Sequence, residues 1–380
     1  MKILHVCLVG AGFNDGWGYQ ENMLAKYNSI NGHQVSVLTS QYIRKSSGDL
    51  TKINQTNYYD ENNTNIIRLP LKKGSKPDNK FRTFVGVKKV LETIKPEIIF
   101  IHNFQFFDLF KVIKYVKNNP NVTLYIDSHT DMNNSANNWV SRNILHKLIY
   151  RNFAKRTLKY VKKIFFISYE VEEFLRNIYK IPTSFLEFYP LGGTIISEEE
   201  KKRICFKVRK EINVSSEEIL FCHSGKMDDK KKTYELIRNF VEIEDDRLRL
   251  ILIGTFSKIV KEKVMPYINN DKRIIYLGWK DSEELVKYIA ASDLYLQPGS
   301  QSATMQNALC SGTPVLISDV KAHQVYLKGN AFAIGKLDEI KDVFIKVCEE
   351  PAILNEMSKK AFVLARRILD YKKLADRIIE

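Results

Sequence analysis

The feature that most constrains the fold is a regular alternation of short apolar runs with segments of helical periodicity. In the first half, strands are predicted at residues 2–9, 34–38, 66–69, 97–101, 123–126 and 163–167. Helical spacing lies between several of them, at residues 19–30, 84–94 and 143–160. Parallel strands need long connections, usually helices, so this alternation predicts a parallel sheet covered by helices. Residues 39–65, rich in Ser, Asn and Tyr, are predicted to form a long loop.

The second half repeats the same rhythm. Strands are predicted at residues 218–223, 249–253, 273–277, 293–296 and 315–317, and terminal helices at 341–348, 352–369 and 371–379. Pro190-Leu191-Gly192-Gly193 and the charged stretch after it interrupt the pattern. We therefore expect two doubly wound α/β domains, residues 1–190 and 191–365, with ligands at the carboxyl ends of the strands. Residues 366–380 are expected to form a helix that packs back toward the first domain.

The net charge of +15 is distributed unequally. Residues 1–190 hold 27 Lys and Arg against 15 Asp and Glu, whereas residues 191–380 hold 32 against 29. This excess predicts an anionic partner for the first half: nucleic acid, an acidic membrane surface or a phosphorylated substrate. No zinc-finger spacing, RNA-binding aromatic motif or basic heptad pattern accompanies the charge, so a nucleic-acid partner is not expected.

Cysteine usage and hydropathy point to a cytoplasmic protein. The five cysteines are odd in number and form no C-x-x-C pair, which predicts free thiols and no zinc site. No apolar run approaches the length of a membrane span. The first apolar run is too short for a signal peptide.

Glycines follow the first predicted strand. Gly10 and Gly12 begin a G-x-G-x-x-G pattern, but Asp15 occupies the third glycine position, and the second strand ends without an acid. Both departures disfavour a dinucleotide dehydrogenase. Gly16 and Gly18 precede a helix, where backbone amides can bind a phosphate or a sugar hydroxyl. A flexible glycine-rich turn is the alternative.

Two histidines follow predicted strands of the first half. Side chains at the carboxyl end of a parallel strand face the ligand-binding edge. His129 lies in a polar cluster with Asp127 and Asp131, which favours contact with a sugar or its phosphate. For His102 a ligand contact and a purely structural role are both open.

The second half holds a candidate anion clamp and a neutral loop. Lys226 and Lys231 follow a predicted strand next to a helix start, a suitable arrangement for a diphosphate. The alternative is a solvated run of lysines. Residues 296–317 read as strand, loop, helix and strand, yet contain no Asp, Glu, Lys or Arg.

These segments together resemble the retaining glycosyltransferases of the GT-B fold, specifically glycosyltransferase family 4. Residues 16–40 are similar to that family's glycine loop, first helix and Gly-His strand entry. Residues 221–237 resemble its Gly–Arg–x4–Lys segment, with Lys226 in place of the Arg. Residues 273–298 and 307–318 resemble its later strand–helix–strand segments.

The resemblance implies two Rossmann-like domains facing a central cleft. It also implies retaining, metal-independent transfer of a sugar from a nucleotide-diphosphate sugar, with UDP or GDP as the nucleotide, to a glycan or lipid-linked acceptor. The first domain would bind the acceptor and the second the nucleotide sugar. His129, Lys226 and Lys231 would be catalytic, with the lysines neutralising the leaving diphosphate. The implied donor-binding residues are Gly16, Gly18, Gly225, Gly299, Ser300, Gln301, Ser302, Ala303, Thr304 and Asn307, and the implied acceptor-side residues are His102 and Asp131.

The chain departs from the family at two acidic positions. Asn307 stands where the second glutamate usually binds the ribose, and Gly299 stands in place of the first. An Asn can donate to and accept from a ribose hydroxyl. Gln301, Ser302 or Thr304 would have to replace the first acid. A non-catalytic GT-B subunit that stabilises an active partner therefore remains an alternative. A sugar-nucleotide epimerase would need cleft carboxylates that the sequence does not offer.

Residues 139–163 combine eight basic residues with apolar ones at roughly helical spacing, and no acid occurs between residues 132 and 169. The apolar members are Trp139, Ile144, Leu148, Ile149, Phe153 and Leu158. This pattern predicts an amphipathic helix suited to an anionic bilayer, with the protein peripheral on the inner face of the plasma membrane. The alternative is a domain helix whose apolar stripe packs on the sheet.

Overall fold

The computed structural model describes residues 1–9, 13–44, 49–132, 134–300 and 302–379. The chain divides into two compact units. The first comprises Met1–Pro190 together with Tyr371–Glu380, and the second comprises Leu191–Asp370. Each unit is built on its own parallel sheet.

The strand order in the sheet of the first unit reverses near the centre of the sheet. Its strands and the small pair beside it are β1 (Lys2–Cys7), β2 (Gln34–Ser40), β3 (Tyr42–Arg44), β4 (Leu50–Lys52), β5 (Asn57–Tyr59), β6 (Asn65–Leu69), β7 (Ile98–His102), β8 (Thr123–Ser128), β9 (Val161–Phe166) and β10 (Leu186–Phe188). The order is β10-β9-β8-β7-β1-β2-β6-β5, parallel in every described pair except β5–β6. The order reverses between β1 and β7, which creates a crevice at the carboxyl ends of these strands.

The prediction of one long loop over residues 39–65 is wrong. Strand β2 continues to Ser40, β3 and β4 pair antiparallel with each other, and β5 pairs antiparallel with β6. Strands of three residues are too short to show the two-residue alternation by which a strand is recognised in sequence.

The helices that cover this sheet are α1 (Gln20–Ile30), α2 (Val87–Ile94), α3 (Leu109–Asn118), α4 (Arg151–Thr157) and α5 (Tyr169–Asn177). Helix α2 begins three residues later than predicted, because Gly86 before it has a φ of 100°, which no helical residue adopts. The single helix predicted over residues 143–160 is a π-helical segment, Ser141–Tyr150, followed by α4. The wider π turn changes which residues share a face.

The second unit has the same architecture. Its strands are β11 (Ile219–Met227), β12 (Leu248–Phe256), β13 (Ile274–Gly278), β14 (Leu294–Gln297), β15 (Val315–Ser318) and β16 (Ala331–Ile334). Its helices are α6 (Glu198–Glu211), α7 (Thr233–Val241), α8 (Lys258–Asn270), α9 (Ser282–Ala291), α10 (Ala303–Cys310), α11 (Glu339–Glu349) and α12 (Ile353–Ile368), with a 3-10 turn at Asp229–Lys231. The strand order β13-β12-β11-β14-β15-β16 reverses between β11 and β14.

The last helix, α13 (Tyr371–Asp376), belongs to the first unit. Leu374 and Ala375 are buried in the same core layer as β1 and β2. The Tyr189 hydroxyl donates to the Leu374 carbonyl at 2.5 Å, and the Asn28 amide donates to the Ala375 carbonyl at 2.8 Å. Apolar burial and these two bonds therefore hold the chain end on the first sheet.

Both faces of each sheet are buried. In β1, Leu4 and Val6 enter one core layer, whereas Ile3 and Cys7 enter the other, as the alternation of a strand requires. Burial on both faces explains why the central strands read as continuous apolar runs. Among the described helices, none has the length and apolarity to cross a bilayer.

Candidate functional sites

Asp15 fixes the loop that carries the first-unit glycines. Its carboxylate accepts from the Arg68 guanidinium at 3.1 Å through both oxygens and from the Tyr58 hydroxyl at 2.7 Å. The fully buried Arg68 also donates to the carbonyls of Phe13 and Ser40. The residue that breaks the glycine pattern thus anchors the loop to β5 and β6. Sequence reasoning missed this role because the partners lie 43 and 53 positions away.

The two glycines on this loop are open to a ligand. Gly16 has a φ of 72°, which favours glycine, and a Cβ added at Gly16 or Gly18 would meet no atom of the described residues within 4 Å. Their donor-binding role stays a prediction. Gly10 and Gly12 lie outside the described residues.

His102 belongs to a buried chain of hydrogen bonds. Its Nδ1 lies 2.8 Å from an Asp127 carboxylate oxygen, and its Nε2 lies 3.0 Å from Nδ1 of His5. The His5 Nε2 donates in turn to the Asn28 side-chain oxygen, since the amide of Asn28 is already the donor to Ala375. Both ring nitrogens of His102 are engaged inside the protein. These hydrogen bonds therefore favour the structural role of His102 over the predicted contact with the acceptor.

His129 lies at the carboxyl end of β8 with a different environment. Its main-chain N–H donates to the Asn103 side-chain oxygen at 2.9 Å, and its Nε2 lies 3.5 Å from the Asp127 carboxylate. Within the described part of the chain that nitrogen has no hydrogen-bond partner. That nitrogen is itself buried beside Asp127, but 29% of the His129 side chain is exposed, so another part of the ring is open to a ligand at the switch point.

His5 and His129 differ in the direction in which their surroundings shift the pKa. Burial and the neighbouring His102 lower the pKa of His5 to about 3, so His5 is neutral. Burial also acts to lower the pKa of His129, but the Asp127 carboxylate outweighs it and raises that pKa above the ordinary value. Burial of Asp127 is likewise outweighed by His102 and His129, which lower the pKa of its carboxyl group. His129 can therefore present a positive charge to an anionic group near neutral pH.

Asp131, predicted on the acceptor side, orders the loop that follows His129. Its carboxylate accepts from the main-chain N–H of Asn134 at 2.7 Å and from the Asn134 amide at 3.1 Å. The same amide donates to the His129 carbonyl at 2.7 Å. These bonds support a positioning role for Asp131, and its contact with an acceptor stays a prediction.

In the second unit, Gly225 and Lys226 lie at the end of β11, on one side of the switch point. Gly225 has a φ of 124° and lies in register with Gly254 on β12. A Cβ at Gly254 would lie 1.9 Å from the Gly225 carbonyl oxygen, so the two strands approach too closely for side chains there. The side chain of Lys226 is exposed, which leaves its ammonium group accessible to an anion.

Lys231 and the loop after β14 hold each other in place. The buried Lys231 side chain donates from Nζ to the Ser300 carbonyl at 3.2 Å, and the Ser300 N–H donates to the Lys230 carbonyl at 2.9 Å. Burial lowers the pKa of Lys231 to about 8, only partly offset by Asp228. This ammonium group thus lies between the 3-10 turn and the loop, next to Gly225.

Gly299 is explained by the same contact. A Cβ at this position would lie 2.1 Å from the Lys230 carbonyl oxygen and 2.7 Å from the Lys231 carbonyl carbon. Real Cβ atoms essentially never approach closer than 3.0 Å, so any side chain would displace the loop. The absence of the family's first glutamate is therefore tied to the backbone packing of this chain.

The hydroxyls that open α10 form a network. The Ser302 hydroxyl donates to the Gln297 side-chain oxygen at 2.7 Å and lies 2.6 Å from the Thr304 hydroxyl. The Tyr295 hydroxyl donates to Thr304 at 2.7 Å and lies 3.0 Å from Ser224 on β11. Ser302 and Thr304 are thus oriented by strands β14 and β11, while each hydroxyl oxygen keeps further acceptor capacity. Gln301 lies outside the described residues.

Asn307 is half-buried on α10 beside the start of the second unit. A Cβ at Gly193 would lie 2.9 Å from the Asn307 side-chain oxygen, so a glycine is required for this approach. The neighbouring Gln306 is buried, and its amide lies 3.3 Å from the Tyr326 hydroxyl. This supports Asn307 rather than Gln306 as the helix residue that faces a ligand.

The predicted amphipathic helix over residues 139–163 has two different apolar faces. Phe153 is buried and packs edge-on against Phe107 and Phe110. Trp139, Ile144 and Leu148 point outward, with 70%, 43% and 59% of their surface exposed. One apolar face therefore packs inside the first unit, as the alternative of an ordinary domain helix predicts. The other face, formed by Trp139, Ile144 and Leu148, is an exposed apolar strip.

No group of three or more His, Cys, Asp or Glu side chains that could hold a metal ion occurs among the described residues. The predicted metal independence stays a prediction.

Sequence comparison gives a match in the second unit. Residues 206–363, less than half of the chain, match the sequence profile of the family described as Glycosyl transferases group 1. The alpha-galactosylglucosyldiacylglycerol synthase of Streptococcus pneumoniae is 23% identical over 174 residues, which is 42% of this chain and 44% of that protein. An uncharacterised glycosyltransferase of Methanocaldococcus jannaschii is 24% identical over 181 residues. The matches span less than half the length of these curated relatives.

Solved structures match the whole chain. Sucrose-phosphate synthase from Thermosynechococcus elongatus has a TM-score of 0.69 at 14% identity, covering 99% of this chain and 97% of that one. Anabaena HepE in complex with UDP has a TM-score of 0.69 at 15% identity, covering 100% and 98%. At such identities the similarity shows the fold.

The profile match contains Lys226, Lys231 and the loop around Gly299. The structural similarity extends over both units. The chain therefore has the GT-B fold, and its residues 206–363 match the profile of the glycosyl transferases group 1 family.

Proposed function

We propose that the protein is a retaining, metal-independent glycosyltransferase that uses a nucleotide-diphosphate sugar as donor. The observation that carries this proposal is that Lys226, Lys231 and the start of α10 all lie at the switch point of the second sheet. Lys231 contacts the loop that opens α10, and Lys226 lies exposed at the end of the neighbouring β11. A structure of Anabaena HepE, a similar fold, is described in complex with UDP-glucose, which supports a UDP-sugar as the first donor to test.

The proposed mechanism assigns charge neutralisation to side chains. Lys226 and Lys231 stabilise the diphosphate as its bond to the sugar breaks, assisted by the first N–H groups of α10, which have no partner within the helix. Neutral hydroxyls and amides of Ser302, Thr304 and Asn307 bind sugar and ribose hydroxyls. His129 contacts the donor sugar, and its raised pKa lets it carry a positive charge there.

The central experiment incubates the purified chain with a panel of UDP- and GDP-sugars and measures release of the nucleotide. Release from one donor supports the enzyme. Lys226→Ala should weaken UDP binding about tenfold, because one charge-assisted contact of about 1.5 kcal/mol is lost. Lys207→Ala, an exposed lysine on α6, serves as the matched control and should bind UDP like the native chain.

Failure to release nucleotide from any donor, combined with unaltered UDP binding in Lys226→Ala, would contradict the proposal. That combination would favour the non-catalytic subunit, whose supporting observation is the lack of a side chain at Gly299.

Two further measurements address retention and metal independence. The anomeric configuration of the product, read by proton NMR, should equal that of the donor. Nucleotide release should be unchanged by EDTA. Inversion or loss of activity with EDTA would each overturn the corresponding part of the proposal.

We further propose that the acceptor is lipid-linked and is reached at an anionic membrane surface. The exposed strip of Trp139, Ile144 and Leu148 has the exposed basic residues Arg142 and Lys147 between its members. Apolar residues and cations on one helix are suited to the headgroup region of an anionic leaflet. This surface would place the protein on the inner face of the plasma membrane. The Streptococcus pneumoniae relative is named as the synthase of a glycosylated diacylglycerol, which agrees with a lipid acceptor.

Flotation with vesicles containing phosphatidylglycerol tests this surface. Replacing Ile144 and Leu148 together by Ser should greatly reduce flotation, and salt should reduce it further. Val363→Ser, which alters another exposed apolar residue, should float like the native chain. Equal flotation of the Ile144/Leu148 variant and the native chain would exclude the strip as the docking surface.

A further inference from the structure

A cavity of about 440 Å³ lies at the switch point of the first sheet. Leu8 and Val9 after β1, Asn103 after β7 and His129 after β8 line its floor. The cavity therefore occupies the crevice where open α/β sheets bind ligands. Its volume falls within the range of small-molecule sites, about 300–1,000 Å³.

The charge of this cavity is strongly one-sided. Among the described residues that line it, Arg44, Lys80 and Arg82 are the cations and Asp78 supplies one carboxylate. His146 also lines it, but burial and the nearby Lys80 lower its pKa to about 4, so this imidazole is neutral near pH 7. Lys80 and Arg82 come from one segment, in which the Arg82 guanidinium donates to the carbonyls of Pro77 and Asn79 at 3.1 Å each.

The remaining lining is neutral and polar. The Gln105 amide donates to Thr130 at 2.7 Å and to the Tyr179 hydroxyl at 3.2 Å, which leaves its side-chain oxygen as an acceptor. The Asn103 oxygen accepts from His129, so the Asn103 amide is available as a donor. Such groups suit sugar or glycerol hydroxyls, whereas the cations suit a phosphate.

We propose that this cavity binds the acceptor, and that the acceptor carries a phosphate group held by Arg44, Lys80 and Arg82. The inference rests on the proposed glycosyl transfer, because it names the acceptor class for that reaction. The phosphate can belong to a phospholipid headgroup, which agrees with the lipid-linked acceptor proposed above, or to a soluble sugar phosphate, which would replace that lipid-linked acceptor.

The test measures binding to the full chain without any donor, so that it does not depend on catalysis. Glucose 6-phosphate and dihexanoyl phosphatidylglycerol represent the two sources, with glucose and dihexanoylglycerol as their phosphate-free counterparts. The lipids are used as monomers, so the exposed strip of residues 139–148 plays no part. At least one phosphate compound should bind measurably more tightly than its counterpart, and which one binds identifies the source.

Charge variants assign the binding to this cavity. Lys80→Ala should weaken binding about fivefold, the upper range for one exposed ion pair. Asp78→Asn should strengthen it by a comparable factor, because it removes the opposing charge. Lys76→Ala removes an exposed lysine of the same segment that does not line the cavity, and should change nothing.

Equal binding of phosphate compounds and their counterparts would overturn the proposal, as would an identical affinity in Lys80→Ala, Asp78→Asn and Lys76→Ala. Failure of nucleotide release from every donor, with the binding pattern above intact, would instead reject the proposed reaction and leave the phosphate site standing.

Discussion

Gly299→Ala is the change with the clearest consequence for the second unit. The added Cβ would lie 2.1 Å from the Lys230 carbonyl oxygen, and the shortest tolerable contact is 3.0 Å. The loop must therefore move by about 1 Å, which breaks the 2.9 Å bond from the Ser300 N–H to that same oxygen. The Lys231 contact with the Ser300 carbonyl is lost with it.

The size of the effect follows from two contributions. Overpacking against a fixed backbone costs about 1–3 kcal/mol, and the lost main-chain hydrogen bond adds about 1 kcal/mol. We expect a loss of about 3 kcal/mol in the free energy of unfolding of this unit. For a unit of this size that loss lowers the midpoint of thermal unfolding by about 6–12 °C.

The assay combines thermal unfolding with hydrogen exchange of the peptide that contains Ser300, whose amide should exchange much faster in the variant. Gly335→Ala is the matched control, since its Cβ would meet nothing closer than 3.6 Å. Equal stability and equal exchange in the two variants would refute the packing explanation for Gly299. In that event Gly299→Glu, which introduces the glutamate that the resemblance implies, should be tolerated. If the packing explanation holds, we expect this variant to unfold at a lower temperature than the native chain and to bind UDP less well.

Three other predictions concern buried groups. UDP affinity should fall as the pH rises through about 8, because burial lowers the pKa of Lys231 from 10.5 to about 8 and the neutral amine no longer attracts a diphosphate. Titration of UDP binding from pH 7 to 9.5 checks this. A Lys231→Met variant should bind UDP weakly and without that pH dependence. Between pH 8 and pH 10.5 the folded state binds fewer protons at Lys231 than the unfolded state does. The contribution of Lys231 to the stability of the second unit should therefore rise with pH over this range, and a fall would contradict the lowered pKa. Arg68→Met should destabilise the first unit by about 1–3 kcal/mol in urea denaturation, because the carbonyls of Phe13 and Ser40 lose a buried donor while the half-exposed Asp15 stays solvated. Exposed Arg142→Met is its control. Tyr189→Phe should cost about 1 kcal/mol through loss of the bond to Leu374 and should accelerate hydrogen exchange in α13, whereas unchanged exchange there would show that apolar contacts alone hold this helix.

Much of the fold could be predicted from the sequence because its determinants are local. The central strands are buried on both faces and therefore read as continuous apolar runs, and each connecting helix shows its own periodicity. The errors occur where no local signal exists. The three-residue strands between residues 42 and 59 are stabilised by pairing rather than by composition, and the π-helical geometry of Ser141–Tyr150 leaves no mark in the spacing of its residues.

The candidate sites show the same division. That Lys226, Lys231 and a neutral loop lie near one sheet edge was predictable, since the carboxyl ends of parallel strands meet there. The sequence could not assign Asp15, because its partners Tyr58 and Arg68 come from distant strands. It also left both roles of His102 open, and only the tertiary contacts with Asp127 and His5 decided between them.

By itself, the sequence determined the α/β class, the repetition of that architecture in two halves and the unequal charge of those halves, because these depend on composition and on periodicity along the chain. Only the tertiary structure decided why Gly299 carries no side chain, which face of the helix after residue 140 is exposed, and that Arg44, Lys80 and Arg82 line one cavity. Each of these depends on the distance between atoms that are remote in sequence, and such distances are fixed only when the sheets and their connections pack together.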